Sequence, residues 1–367
     1  MRLAFQVLPV LLLAGLASPA AAQIDPKTAL LERAGFDALQ VGDARRAADA
    51  FREALAADPG NAVLHFGAGV AAYLERRDQD ARVAFERALA LNPELSDARE
   101  FLARALYRLG DLSGAVRVYE AVVAGARGGP EAEATLGRWR RELELHDRML
   151  HAIGNHFTVS FEGPAEEALA TRALESLDRA YWRIGVLLQT YPADPISVVL
   201  YTSAQFQDIT RSPQWAAGAY DGTIRVPMRG ALSKGAELDR VLAHEVMHAV
   251  VHSLAPRGVP TWLGEGLAAA YETDNLTWAV VRLLEAGRAL PLASLAGSFG
   301  RLTGSDAEVA YASSAIAVGR LIDEAGGAAV ANLLRDLGEG ADFETAFSRR
   351  MQRPFASFVA SLETPNR

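Results

Sequence analysis

Two histidines and a glutamate near the middle of the chain have a spacing that suits metal chemistry. The pentapeptide His244-Glu245-Val246-Met247-His248 places two imidazoles four residues apart. On a helix these positions share one face, so both rings can bind one metal ion. Glu245, between them, can face a water held by the metal and act as a general base.

The residues around this pentapeptide favour a buried helix. Acidic residues near its start, where the helix dipole favours negative charge, and recurring apolar residues support this: Glu237, Leu238, Asp239, Val241, Leu242, Val246, Val250 and Val251. The alternative is an ordinary amphipathic helix whose two histidines have protein partners. A buried helix carrying these polar groups needs partners for them, and a metal would supply them.

The residues that follow the pentapeptide on the same helix supply no third ligand. His252 lies about 12 Å along the helix axis from His244, too far to join the same tetrahedron. A metzincin-type extension would need glycine and histidine at the positions that Val251 and Leu254 occupy. The third ligand is therefore expected on another element.

Glu265 is the better candidate. Helix-breaking residues follow the first helix: Pro256, Gly258 and Pro260. The chain can therefore turn and return as a second helix from about residue 261. Small neighbours such as Gly264 and Gly266 permit a close approach to the histidines. A solvated helix glutamate is the alternative, and Glu272 is the reserve candidate for the ligand.

The combined pattern resembles the gluzincin-type, thermolysin-like zinc metallopeptidases of the peptidase MA superfamily. After His-Glu-x-x-His comes Pro-x-Trp-Leu-x-Glu-Gly-x-Ala, from Pro260 to Ala268. The resemblance covers roughly residues 155–350. It is closest to a bacterial branch whose domains often follow tetratricopeptide repeats.

The resemblance implies Zn²⁺ on His244, His248 and Glu265, with Glu245 as base and proton shuttle. One departure concerns the carboxylate that orients a zinc histidine. Thermolysin has Asn after its ligand glutamate and Asp three residues beyond it. This chain has Gly266 and Ala269 there, so the orienting carboxylate is unidentified.

A tyrosine is the candidate for stabilising the oxyanion that such hydrolysis produces. Related enzymes place a tyrosine or histidine in a helix beyond the third ligand. Tyr311, in Ala-Tyr-Ala-Ser-Ser, resembles that feature. The alternative is a core tyrosine, and Tyr220 and Tyr271 are weaker candidates.

The N-terminal part of the chain repeats every 34 residues. Positions in register hold small residues, aromatic residues and prolines: Ala47, Ala81 and Ala115; Phe51, Phe85 and Tyr119; Pro59 and Pro93. This is the tetratricopeptide pattern, in which small residues let helices approach and an aromatic ring fills the gap to the next unit. Such repeats present a concave surface to a peptide or protein partner, or act as a rigid spacer.

We expect a mainly α protein in which a tetratricopeptide α-solenoid precedes an α+β zincin-like domain. That domain should have a small sheet and a zinc-binding helix. The predicted parts are a signal peptide at 1–22, about three repeats at 23–130, a linking and capping helix at 131–152 and the metallopeptidase-like domain at 153–367.

Three strands are predicted in the second domain, at 156–161, 196–201 and 222–227. Pro227 suits an edge strand because it cannot donate to a ladder. The resemblance suggests that the segment 219–227 pairs with the substrate backbone by strand addition. An ordinary edge strand is the alternative.

The first residues indicate export. A positive residue, an apolar run and a small-residue cleavage site follow one another: Arg2, Leu3 to Leu16, and Ala20 to Ala22. We expect a periplasmic or secreted protein with no membrane span after cleavage; an uncleaved anchor is the alternative. The chain has no cysteine, which excludes a lipid-anchored lipoprotein and disulfides. The net charge of −8 argues against nucleic acid and anionic membranes as partners.

The sequence therefore predicts a zinc-dependent peptidase acting on a peptide or protein substrate that the repeats help to recruit. One alternative is a non-cleaving, repeat-based binding scaffold with a degenerate metallopeptidase domain. Another is a zinc hydrolase that breaks a different bond, because the motif fixes the activation of water better than it fixes the bond that is broken.

Overall fold

The computed structural model describes residues 25–125, 128–163, 166–211, 218–227, 235–273, 275–299, 302 and 304–363. The predicted signal peptide at 1–22 lies outside these residues. Two compact units divide between Glu144 and Leu145. Across the part of the chain that is described, every helix is too short or too polar to cross a bilayer.

The first unit is built of helices. They are α1 (Pro26–Gln40), α2 (Ala44–Ala57), α3 (Ala62–Leu74), α4 (Asp78–Leu91), α5 (Ser96–Arg108), α6 (Leu112–Ala124) and α7 (Pro130–His146), the last running two residues into the second unit. The side chains of Asp43, Asn61 and Asp111 cap the starts of α2, α3 and α6. Each helix of the first six packs on the next, as the repeat pattern predicts.

The aromatic residues of the first two repeats, Phe51 and Phe85, occupy space that only glycine leaves open. A Cβ atom on Gly35 or Gly67 would lie 2.6 or 2.3 Å from the ring of Phe51. Phe51 is fully buried, so its ring joins the first helix of its own repeat to the first helix of the next. Gly69 has the same relationship to Phe85, at 2.5 Å.

Helix α7 closes the repeat unit. The indole of Trp139 stacks on Tyr107 with centroids 4.7 Å apart and contacts Tyr119 at 4.8 Å. The hydroxyl of Tyr107 donates to the buried carboxylate of Glu142 at 2.7 Å. These contacts cover the apolar side of the third repeat, which would otherwise face water.

The prediction that this helix continues to residue 152 is wrong. It ends at His146, and Leu150–Ile153 form a strand. The turn between them buries Leu145 and Met149 in a small apolar cluster. Its carbonyls at Leu145 and His146 accept from the amides of residues 148 and 149.

The second unit contains a five-stranded mixed sheet and further helices. The strands are β1 (Leu150–Ile153), β2 (Phe157–Phe161), β3 (Ile196–Tyr201), β4 (Ala219–Tyr220) and β5 (Ile224–Pro227). The helices are α8 (Glu167–Leu188), α9 (Ser203–Thr210), α10 (Gly235–Leu254), α11 (Thr261–Tyr271), α12 (Thr277–Ala286), α13 (Gly304–Ala325), α14 (Gly327–Gly338), α15 (Phe343–Met351) and α16 (Phe355–Glu363).

The strand order is β1-β2-β3-β5-β4. The three central strands are parallel, while β1 and β4 are antiparallel edges. The expectation that Pro227 marks the edge strand is wrong, because β5 lies inside the sheet. Pro227 is tolerated there because β4 pairs with β5 only through Ala219 and Tyr220, opposite Arg225 and Ile224.

The two faces of the sheet have different cores. One face carries Val159, Val198 and Leu200 into the main apolar core, which also contains the buried sides of α8 and α10. The opposite face packs Val199 and Tyr201 against residues of α9. Helix α10 is thus held along one side by the core of its unit.

Candidate metal centre

Burial fixes the orientation of α10, the helix of the His-Glu-x-x-His pentapeptide. Leu242, Val246, Met247 and Val250 are completely buried. Helical periodicity then brings both histidines to one side of α10, where α11 packs.

The three predicted ligands converge. Nε2 of His244 lies 3.1 Å from Nε2 of His248, and Oε2 of Glu265 lies 3.6 and 3.5 Å from these two nitrogens. Ligands about 2.0–2.1 Å from a tetrahedral ion lie about 3.3 Å from one another. The ligand triangle, meaning these three atoms, therefore has the size that one such ion requires.

Close helix packing puts Glu265 in this position. A Cβ atom on Gly266 would lie 2.6 Å from the carbonyl oxygen of Ser314, so α11 and α13 approach at backbone contact. Trp262 is 2% exposed and stacks on Phe355 at 5.7 Å. These contacts bury the other sides of α11 and leave Glu265 facing α10.

Glu272 lies beside the triangle and does not take the place of its third ligand. Its Oε2 is 2.9 Å from Nδ1 of His244, and its Oε1 accepts from Arg240 at 2.8 Å. A carboxylate on Nδ1 fixes the proton there and leaves Nε2 free to bind a metal. Glu272 is thus the orienting carboxylate that sequence reasoning missed. Glu272 follows directly after α11, two helical turns beyond Glu265, and nothing in the sequence around it indicates this role.

Glu245 is a buried carboxylate next to the triangle. The residue is 4% exposed, and its Oε2 has no hydrogen-bond partner among the described residues. Burial raises its pKa, and the charges of His248 and His244 act in the opposite direction. An unpartnered buried carboxylate oxygen costs free energy unless another group binds it, and a water beside a metal would do so.

The electrostatics of the centre favour a positive charge. Burial alone would lower the pKa of His244, but the neighbouring carboxylates of Glu265 and Glu272 raise it to about 10. Burial alone would raise the pKa of Glu265, but the two histidines hold it well below its usual range. The carboxylates therefore stabilise a cation within the triangle, which is a proton on His244 or a metal ion.

Family models match three parts of the chain. Residues 176–352 match the peptidase MA superfamily, and residues 33–94 and 72–138 match tetratricopeptide repeats. The chain therefore carries a peptidase MA superfamily domain at 176–352, preceded by tetratricopeptide repeats. This confirms the resemblance and the mainly α fold class. The superfamily is typically metal-dependent, and the group of His244, His248 and Glu265 fits a metal.

Other comparisons add little to this assignment. The first tetratricopeptide domain of Spaghetti (RPAP3), solved with an HSP90 peptide, is 25% identical over 32% of this chain and 96% of that chain, with a TM-score of 0.31. Comparison with curated proteins finds no match.

Tyr311 lies beside His244 of the ligand triangle. Its ring centroid is 6.2 Å from that of His244 and 5.2 Å from that of Phe299. Burial, then the nearby carboxylates of Glu265 and Glu245, raise the pKa of Tyr311 well above its usual range. The phenol therefore stays protonated near neutral pH.

The weaker tyrosine candidates lie elsewhere. The ring of Tyr220 packs edge-on to His252 at 5.5 Å, and burial raises its pKa to about 12. The hydroxyl of Tyr271 interacts electrostatically with Asp323. The backbone carbonyl of Tyr271 accepts a hydrogen bond from Arg183. His252 contacts Tyr220 and is not part of the ligand triangle.

Proposed function

We propose that the chain is a gluzincin-type, zinc-dependent peptidase. The observation that carries this proposal is the ligand triangle, which has the unpartnered carboxylate oxygen of Glu245 beside it. Two imidazoles and one carboxylate suit zinc and leave one coordination position open. The open position is the mark of a catalytic rather than a structural site.

His244, His248 and Glu265 would hold the metal. When bound, zinc supplies Lewis acidity that makes water nucleophilic near neutral pH and polarises the scissile carbonyl. Glu272 keeps the His244 ring in place through Nδ1, and Arg240 anchors the second oxygen of Glu272. This pair of contacts presents Nε2 of His244 to the metal before substrate arrives.

Glu245 would move the proton. Its buried carboxylate takes a proton from the attacking water and delivers it to the nitrogen of the leaving amine. The raised pKa of Glu245 brings its proton affinity towards that of a base working near neutral pH. Tyr311 would donate its hydroxyl proton in a hydrogen bond to the oxyanion that forms at the carbonyl.

The edge of the sheet offers a place for the substrate backbone. Strand β4 is hydrogen-bonded to β5 along one side and is the last strand of the sheet among the described residues. A peptide in extended conformation would add to β4 as a further strand. Because β4 packs against α10, the added strand would pass the centre.

We also propose export and recruitment roles for the N-terminal parts. Residues 1–22 would direct the protein to the periplasm or the medium and be removed. The repeats would recruit a peptide or protein, because stacked helical repeats carry extended concave surfaces that bind such partners. The absence of cysteine removes any dependence of folding on disulfides in that compartment.

A peptide-library digest read by mass spectrometry tests the function. Wild type should cleave peptides, and Glu245→Gln should lower kcat by about 10²–10⁴-fold while keeping zinc. Zinc binding without cleavage of any peptide would contradict the proposal and favour a binding scaffold. Equal turnover by both proteins would remove Glu245 from the role of base.

A further inference from the structure

The general base touches the main chain of the sheet edge. A Cβ atom built on Gly218 would lie 2.5 Å from Oε1 of Glu245 and 2.9 Å from its Cδ and Cγ atoms. A carbon atom does not come this close to a non-bonded atom unless one of the two moves away. Position 218, immediately before β4, therefore has no room for a side chain while Glu245 keeps its place.

The glycine is not required by the backbone conformation. Gly218 does not have the positive φ that favours glycine, unlike Gly222 four residues later, whose φ is 113°. An alanine could adopt the same backbone without strain. What position 218 cannot accommodate is the volume of a methyl group against the carboxylate.

Neither partner in this contact is free to move away. Glu245 is 4% exposed on a helix whose adjacent Val246 is completely buried. The strand is held by the pairing of Ala219 and Tyr220 with β5, and the Tyr220 ring packs on His252 of α10. A methyl group at 218 must therefore displace the carboxylate or break the contacts of the strand.

We propose that Gly218 is a positioning residue for Glu245. The bare main chain at 218 closes one side of the carboxylate, which keeps it turned towards the ligand triangle. The role of Glu245 as the base rests on the proposed function, whereas the contact between the two residues does not. Gly218 itself binds neither metal nor the reacting atoms.

A stability cycle on the full chain tests the contact without catalysis. The Tm is measured for wild type, Gly218→Ala, Glu245→Ala and the double variant. Overpacking should lower the Tm of Gly218→Ala by about 3–8 °C. The same methyl group should cost less than about 1 °C in the Glu245→Ala protein, where the space is empty. Gly297→Ala is the control, because nothing lies within 4 Å of its added methyl and its φ is not positive.

Kinetics and zinc content then test the positioning. Gly218→Ala should lower kcat at least about tenfold, with KM and zinc content unchanged, because a small displacement of a catalytic group is costly. Equal losses of Tm in both backgrounds, or an unchanged kcat with an unchanged Tm, would overturn the inference. An inactive wild type would overturn the proposed function instead, and the Tm cycle would still decide whether Gly218 holds Glu245.

Discussion

The carboxylate of Glu272 contacts the imidazole of His244 on the side opposite the ligand triangle, with Oε2 2.9 Å from Nδ1. Glu272 is almost buried, and its second oxygen is held by Arg240 from one turn earlier on α10. The ring of His244 is therefore fixed from both sides, by Glu272 at Nδ1 and by the triangle at Nε2. Helix α11 thus supplies Glu265 to the triangle, and Glu272, the residue directly after the helix, contacts His244.

Removing this contact should weaken metal binding. Glu272→Ala leaves the Nδ1 proton of His244 without its acceptor, so the affinity for zinc should fall about 10–100-fold. A chelator competition titration measures this. Glu285→Gln, at an exposed glutamate paired with Arg282, is the matched control and should bind zinc like wild type. An unchanged affinity in Glu272→Ala would show that packing alone orients the ring.

The hydroxyl of Tyr311 should affect the rate of hydrolysis more than the binding of substrate. Tyr311→Phe removes one donor from the oxyanion and should lower kcat by about 10²-fold with little change in KM. Steady-state kinetics on one cleaved peptide measures both constants. Tyr271→Phe is the control, since that hydroxyl lies near Asp323 and away from the triangle. Equal effects of the two changes would place the oxyanion donor elsewhere.

An acid-sensitive contact outside the ligand triangle should set part of the stability of the second unit. Asp336 on α14 is buried and accepts from Arg350 and Arg349 of α15 at 2.7 and 2.8 Å. The hydrogen bond from Arg350 holds the pKa of Asp336 below its usual range. Burial acts in the opposite direction, and Arg349 lowers the pKa further. Its stabilisation is therefore present above the unfolded pKa of about 3.9, and it is lost as the pH falls through the lower folded pKa.

Denaturant unfolding as a function of pH checks this contact. Asp336→Asn should lower the free energy of unfolding by about 1–3 kcal/mol at pH 7. The difference from wild type should shrink below about pH 4, as wild-type Asp336 also becomes protonated. A difference that stays constant down to pH 2 would show that the loss comes from packing and not from charge.

Local sequence patterns predicted the repeats and the convergence of His244, His248 and Glu265. The 34-residue period identified the helices, because Phe51 must meet small residues on two neighbouring helices. The i, i+4 spacing of His244 and His248 fixed their shared face. The helix break before Thr261 allowed Glu265 to return to that face. These features depend on local geometry, which follows directly from the spacing of residues along the chain.

Features that depend on contacts between distant segments could not be predicted in this way. Glu272 orients His244 because α11 packs beside α10, and nothing local to Glu272 indicates that role. Strand β1 follows a charged helix and is recognised only by its pairing with β2. The edge position of β4 depends on two residue pairs with β5. Gly218 lies in a loop, and only its packing against Glu245 indicates a role for it.

Zinc stoichiometry tests the central claim most directly. Metal is measured by elemental mass spectrometry on the purified full chain of wild type, His248→Ala, Glu265→Ala and the control His252→Ala. The ligand triangle predicts about one zinc per chain in wild type and His252→Ala, and little or none in the two ligand variants. A zinc-free wild type, or zinc retained by His248→Ala and Glu265→Ala, would contradict the account.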